Sequence, residues 1–268
     1  MEPLTVAFAA AEAAAAILLA QRGQIAHYAT KQNRTDLVSE ADLAAEREIV
    51  RIIHGHFPSH LVVAEEGSVA GSDPDHRWYI DPLDGTTNYV HGHPFFAVSL
   101  AYARRGELAA AVVVAPALGE QYAAEHGAGA RLNGRPIRVS AVENLADAML
   151  ATGFAYSVPE RLANVALWRA FLERSQALRR DGAAALDLAF VAAGRFDGYW
   201  EWPLNGWDVA AGVLLVREAG GRVTDYYGAP LDLRRPATVA SNGHLHAAML
   251  AVIAETLPQL AVRPPGGP

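Results

Sequence analysis

The sequence has no cysteine, and Lys31 is the single lysine among 22 basic residues. Without cysteine there is no disulfide framework, no zinc ribbon, no iron–sulfur site and no thiol nucleophile. A reducing, cytoplasmic setting fits that usage. Basic runs never exceed two residues and the net charge is −7, a balance that speaks against a nucleic-acid partner. Long hydrophobic runs are missing as well. The longest near the start, residues 13–20, falls far short of the ~20 residues of a membrane span. Glu2 and Glu12 stand where a signal peptide wants positive charge or an apolar stretch, so no membrane association is expected. Apolar residues are not scarce: they make up 51% of the 268 positions, which excludes global disorder and suffices for one large core or two modest ones.

What is present falls into two patterns. Leu4, Phe8, Ala11, Ala15 and Leu18 follow helical spacing and predict an amphipathic first helix. Ser39 and Asp42 resemble a capping arrangement opening a second, with Leu43, Val50, Ile53 and Phe57 as its apolar stripe. From residue 61 the runs LVVAEE, RWYID, FFAVSLAYA and LAAAVVVA predict short strands, and Asn133-Gly134 marks a hairpin. Residues 61–140 therefore read as a largely antiparallel sheet. Beyond residue 142 strand-like and helix-like segments alternate, an α/β pattern. The expected organisation is an N-terminal part, 1–142, with two helices, the sheet and most of the acids, and a C-terminal part, 143–268. Only the PPGGP tail reads as disordered.

The chemistry concentrates in acids. In WYIDPLDGTTNYVHG, at 78–92, a strand delivers Asp81; Pro82 and Leu83 are expected to turn the chain, and Asp84 follows. Gly85 and Thr86 then open a short helical turn whose free N–H groups suit an anion. Two acids beside anion-seeking amides conflict unless hard cations such as Mg²⁺ bridge carboxylate and phosphate. A plain Asp/Gly turn is the alternative. Glu65 and Glu66 end an earlier strand, where one faces a site or both are solvated. Asp208 is either a helix-start acid or a ligand, and Glu201 a solvent-facing strand residue or a site residue. Lys31 is either a solvated leftover or does something Arg cannot. His91 and His93, just after the motif, read as structural, since no Arg-His-Gly signature supports a phosphohistidine route.

Four blocks, DLVSEAD at 36–42, AEEGS at 64–68, YIDPLDGTTNYVHG at 79–92 and WDVAAG at 207–212, together resemble the inositol monophosphatase family of metal-dependent, lithium-sensitive sugar phosphatases. The resemblance implies a layered αβαβα sandwich of helices and sheets, assembled as a homodimer. It implies two or three Mg²⁺ ions, with Glu65, Asp81 and the Leu83 carbonyl at the first, Asp81, Asp84 and Asp208 at the second, and Glu65 shared with a third. Catalysis would then fall to Glu65 and to Asp42 with Thr86, which orient and deprotonate a metal-activated water for direct attack. Asp84, Gly85, Thr86, Glu201 and Asp208 would meet the substrate, and Lys31 would sit on a mobile loop. The string DGTTN resembles the inositol-type branch. The implied reaction is hydrolysis of inositol monophosphate or a similar small sugar or polyol phosphate. Histidinol phosphate, fructose 1,6-bisphosphate and 3′,5′-bisphosphate nucleotides are the related alternatives. A non-enzymatic role beside the transcription machinery is the alternative of a different class. Ala183 departs from the Ser or Thr of many members, and Trp202-Pro203 and Asn205 stand where relatives vary; these differences bear on sugar selectivity.

Overall fold

The computed structural model describes all residues except 24–27, 31–36, 68, 261 and 265–268; for 28–30, 37, 38, 69 and 70 it describes the backbone only. Lys31 and Asp36 thus lie outside the described residues. The helices are α1 (Pro3–Gln21), α2 (Glu40–His56), α3 (Thr86–Val90), α4 (Val158–Leu172), α5 (Ala184–Ala192), α6 (Gly206–Glu218) and α7 (His246–Thr256). A short ribbon pairs β1 (Tyr28–Thr30) with β2 (Leu37–Ser39). The large sheet holds β3 (His60–Ala64), β4 (Val69–Ala70), β5 (Asp73–Asp84), β6 (Ala97–Arg104), β7 (Glu107–Ala115), β8 (Glu120–Glu125), β9 (Gly129–Leu132) and β10 (Arg135–Pro136), in the order β10-β9-β8-β7-β6-β5-β3-β4. The smaller sheet holds β11 (Met149–Thr152), β12 (Ala177–Arg179), β13 (Gly198–Glu201), β14 (Arg222–Thr224) and β15 (Thr238–Ser241), in the order β12-β11-β13-β15-β14.

Helices and sheets stack as α1/α2, large sheet, α5/α6, small sheet, α4/α7, each sheet covered on both faces. That explains why β6 and β7 read as nearly continuous apolar runs, with Ser99 the one polar residue inside them. On β5, Trp78 and Ile80 pack toward α1/α2 while Tyr79 packs toward α5/α6, and both directions are core. The large sheet is antiparallel except where β3 runs parallel to β5. The Asn133-Gly134 hairpin forms as predicted, with both residues at positive φ as a two-residue turn of the primed type requires.

The first helix forms with its predicted face toward the core and buries a wider face than predicted. It is long and apolar enough, by length and composition, to cross a membrane. Here it packs on α2, β6 and β7, burying Val6, Ala7, Ala10, Ala11, Ala14, Ala15 and Leu18, with Leu4 and Phe8 only partly covered. Small alanines let the neighbouring elements approach closely, so the buried face spreads from the predicted stripe to Val6, Ala7, Ala10 and Ala14. On α2 the stripe likewise shifts: Ala41, Ala45, Ile49 and Ile53 are buried while Leu43 is exposed.

Candidate active site

The predicted turn at Pro82-Leu83 is a β-bulge instead. Strand β5 continues through Asp84, with Asp81 opposite Ser99 and Asp84 opposite Ala97. Two residues on β5 face one on β6, so one residue is extra. In a regular strand residues 81 and 84 point to opposite faces; the extra residue reverses the alternation. The cores record the switch, because Leu83 joins Trp78 and Ile80 on the α1/α2 side. Asp81 and Asp84 are thereby turned to the same side. Pro82, which has no N–H to give, is placed where the ladder is already interrupted.

Gly85 follows at φ 88°. A Cβ there would stand 3.0 Å from the Phe95 carbonyl oxygen and 3.3 Å from the Ala183 Cβ, so glycine alone makes the turn into α3 without strain. Thr86 starts α3. Its Oγ1 lies 3.0 Å from Asp42 Oδ1 and 3.1 Å from the Leu83 carbonyl oxygen. One hydroxyl proton serves one acceptor well; donated to Asp42, it leaves the Leu83 carbonyl available to another ligand. Asp42 itself is buried at the third position of α2, where its Oδ2 accepts from both the Ser39 N–H (2.9 Å) and the Ser39 hydroxyl. The predicted capping box is therefore present, with the acid inward rather than at the surface.

A cavity of about 510 Å³ collects the rest, with Glu65, Asp81, Asp84, Glu201 and Asp208 all on its wall together with Leu83, Gly85 and Thr86. Glu65 follows β3 immediately; Glu66 turns aside, its N–H donating to Glu46 Oε2 at 2.8 Å. Asp81 Oδ1 accepts the Leu83 N–H (3.0 Å). Asp84 accepts the N–H groups of Ala184 (3.1 Å) and Ala185 (2.8 Å) at the start of α5. Asp208 repeats the α2 pattern: Asn205 and Asp208 form a capping box, and Asp208 Oδ2 takes the Asn205 N–H at 2.6 Å. Both readings of Asp208, cap and cavity acid, thus hold together. Glu201 ends β13, accepts the Tyr199 hydroxyl, and lies over Gly153, where a Cβ would meet its Oε1 at 2.0 Å.

Packing so many carboxylates together has an electrostatic cost. Burial, and then the charges of Glu65, Asp84 and Asp208, hold Asp81 well above the usual carboxylate range. Asp208 is raised in the same way, by burial and then by Glu65. Burial pushes Asp84 up to about 7, against the opposing Ala185 N–H. Glu201 is likewise pushed up to about 7 by burial, opposed by the Tyr199 hydroxyl and Arg180. Asp42 is raised by burial, less strongly opposed by Ser39. Oxygen-only donors that destabilise one another's charge suit a hard divalent cation. The donors that fit are Glu65, Asp81, Asp84, Asp208 and the Leu83 carbonyl. Among the described residues no three acids or histidines are already set as a closed metal cage. A small hard cation that keeps water and substrate oxygens in its shell does not need one.

Some neighbours carried no signal in the sequence. Arg180 lines the cavity and draws Glu201 and Asp187 down. Tyr199 is a buried aromatic of β13 whose hydroxyl donates to Glu201. Asp187 is buried on α5, both carboxyl oxygens lack a hydrogen-bond partner among the described residues, and burial raises it well above the usual range. An arginine next to another and an acid inside an apolar helix look the same at any surface, so only the fold reveals them. His91 and His93 are exposed and line no part of this cavity. Ala183 is buried directly before α5, against Gly85.

Known proteins share this architecture. The model of the inositol monophosphatase family matches residues 1–259. The inositol-1-monophosphatase of Rhizobium meliloti is 45% identical over 225 residues, covering 83% of this chain and 85% of that protein. Nus factor SuhB of Pseudomonas aeruginosa is 44% identical over 234 residues, covering 85% and 86%. The crystal structure of the extragenic suppressor protein suhB from Bartonella henselae superposes with a TM-score of 0.89 at 40% identity, over 93% of this chain and 97% of that one. The four motif blocks, the αβαβα layering and a family match along nearly the whole length agree: the chain belongs to the inositol monophosphatase family.

Proposed function

We propose that the protein is a Mg²⁺-dependent phosphate monoester hydrolase acting on inositol monophosphate or a similar small sugar or polyol phosphate. The observation that carries this reading is the convergence of Glu65, Asp81, Asp84, Asp208 and Glu201 on the cavity that Gly85 and Thr86 also line. Bound there, Mg²⁺ supplies positive charge to the phosphate and acidifies water. The chain's own residues supply position and proton transfer. Thr86 donates its hydroxyl proton to Asp42, so its oxygen accepts a proton from the attacking water while Asp42 takes the one released. The water oxygen forms a new P–O bond, the ester P–O bond breaks on the opposite side, the departing alkoxide takes a proton from a solvent water, and Asp42 returns its proton to solvent, so that one water is consumed overall. The first N–H groups of α3 have no intrahelical acceptor and favour the phosphoryl oxygens. Glu201, mostly buried but on the cavity wall and held by Tyr199, is placed to receive sugar hydroxyls.

The test is an assay of purified protein against inositol 1-phosphate, glycerol 2-phosphate, fructose 1,6-bisphosphate, histidinol phosphate and 3′-phosphoadenosine 5′-phosphate, with Mg²⁺ and with EDTA. Turnover of the polyol phosphates that EDTA abolishes is expected. Absence of turnover with every substrate overturns the enzyme reading. A second reading, a role as a partner of the transcription machinery, is favoured by relatives such as the Pseudomonas Nus factor SuhB. It is tested by binding to purified RNA polymerase and its elongation factors, and it is compatible with an intact site.

A further inference from the structure

A second cavity, of about 360 Å³, opens beside the middle of β5 and shares no lining residue with the first. Arg77 and Tyr79 of β5, Val213 and Arg217 of α6, and Leu231 and Arg234 of the segment after β14 form its walls. Three arginines thus line one partly apolar hollow on a chain of net charge −7. Two acids line it too, Glu107 and Asp232, so positive charge stays in excess.

The three arginines are not equivalent. Arg234 is clamped by Asp232, Nη2 to Oδ2 2.7 Å. Among the described residues, neither Arg77 nor Arg217 has a carboxylate in ion-pair range. Among the described residues, Arg77 reaches only the Tyr79 hydroxyl, through Nη1 at a long 3.4 Å; its Nε–H is enclosed by the protein, so the Nη groups are what it can turn to the cavity. A guanidinium fork matches the paired oxygens of a phosphate or carboxylate. A hollow of this volume takes a small organic molecule.

We propose that this cavity is an anion-binding site for a small organic phosphate or carboxylate, its oxyanion gripped by Arg77 and Arg217 and its apolar body against Val213 and Leu231. Neither arginine belongs to the acid-lined site, so the proposal stands or falls apart from the hydrolase reading.

The probes are phenylphosphonate and benzoate, with benzyl alcohol as the uncharged control, titrated calorimetrically into the full chain in metal-free buffer. Metal-free conditions leave the acid-lined cavity repulsive to anions. Saturable one-to-one binding of at least one anion, and none of benzyl alcohol, is expected; which anion binds distinguishes phosphate from carboxylate. Arg217→Met, at an exposed position that tolerates change, is expected to weaken binding about tenfold or more, and Arg77→Met likewise. Arg77→Lys should fall between wild type and Arg77→Met, and Arg234→Met should change affinity by less than about threefold because Asp232 already occupies that group. Failure of wild type to bind either anion saturably, or an unchanged Kd in a folded Arg217→Met, overturns the proposal.

Discussion

The openings of α2 and α6 use the same local device. Ser39 with Asp42, and Asn205 with Asp208, form capping boxes with the acid at the third helical position. Their surroundings then separate them. Asp42 is fully buried; one oxygen takes both Ser39 donors and the other takes the Thr86 hydroxyl. Asp208 gives one oxygen to the Asn205 N–H and lies on the wall of the acid-lined cavity. Under the proposed function, one acid takes a proton through a hydroxyl and the other holds a cation. Helix capping fixes where an acid sits, whereas its task depends on what the fold brings to its remaining oxygen.

The strongest way to test this contrast is to remove the charge on the cation side. Asp208→Asn and Asp81→Asn are expected to lower Mg²⁺-dependent hydrolysis of inositol 1-phosphate by about 10³-fold or more, since several kcal/mol of charge stabilisation are lost. Both should fold, and both should lose the rise in melting temperature that Mg²⁺ gives the wild type. Wild-type turnover in Asp208→Asn would remove it from the site. Asp42→Asn should cost about 10²-fold in rate, the scale of a general base, yet keep the Mg²⁺-induced melting shift. Loss of that shift in Asp42→Asn would erase the division between the two helix starts.

The acids also link stability to pH. Asp84 is raised from 3.8 to about 7 and Glu201 from 4.5 to about 7, so the folded state holds their protons more tightly than the unfolded chain does. Their stabilising contribution is complete below about pH 4 and is lost as pH rises to about 7. Metal-free protein should therefore melt lower at pH 7.5 than at pH 5, and Mg²⁺ should raise the melting temperature more at pH 7.5. A metal-free melting temperature that climbs from pH 5 to 7.5 would contradict the crowding of charge. The smallest expected effect lies in the caps: Ser39→Ala and Asn205→Ala should each cost about 1 kcal/mol, a drop of a few degrees on melting.

Much of this was legible in local sequence. The Ser39/Asp42 cap, the Asn133-Gly134 hairpin, the strands of the large sheet and the alternation beyond residue 142 all follow from short-range rules. The bulge at Pro82-Leu83 was not, because a turn and a bulge use similar residues and only pairing with β6 tells them apart. The stripe predicted on α1 does face the core, but the buried face is wider than the stripe, because alanine buries as readily as leucine when the neighbour comes close. The acids' residue types were evident, while their convergence required the whole tertiary structure. Arg77 and Arg217 are far apart in sequence and belong to no motif, so the second cavity had no linear signature.

The hold of α5 on Asp84 reaches beyond the site itself. A carboxylate from the large sheet is fastened to two amides a hundred positions later, on a helix wedged between both sheets. Cut in the connection between the sheets, the polypeptide should recover a competent site only while its fragments remain bound to each other. Dilution of such a split version would then switch the acid-lined pocket off, making that single fastening a built-in reporter of assembly.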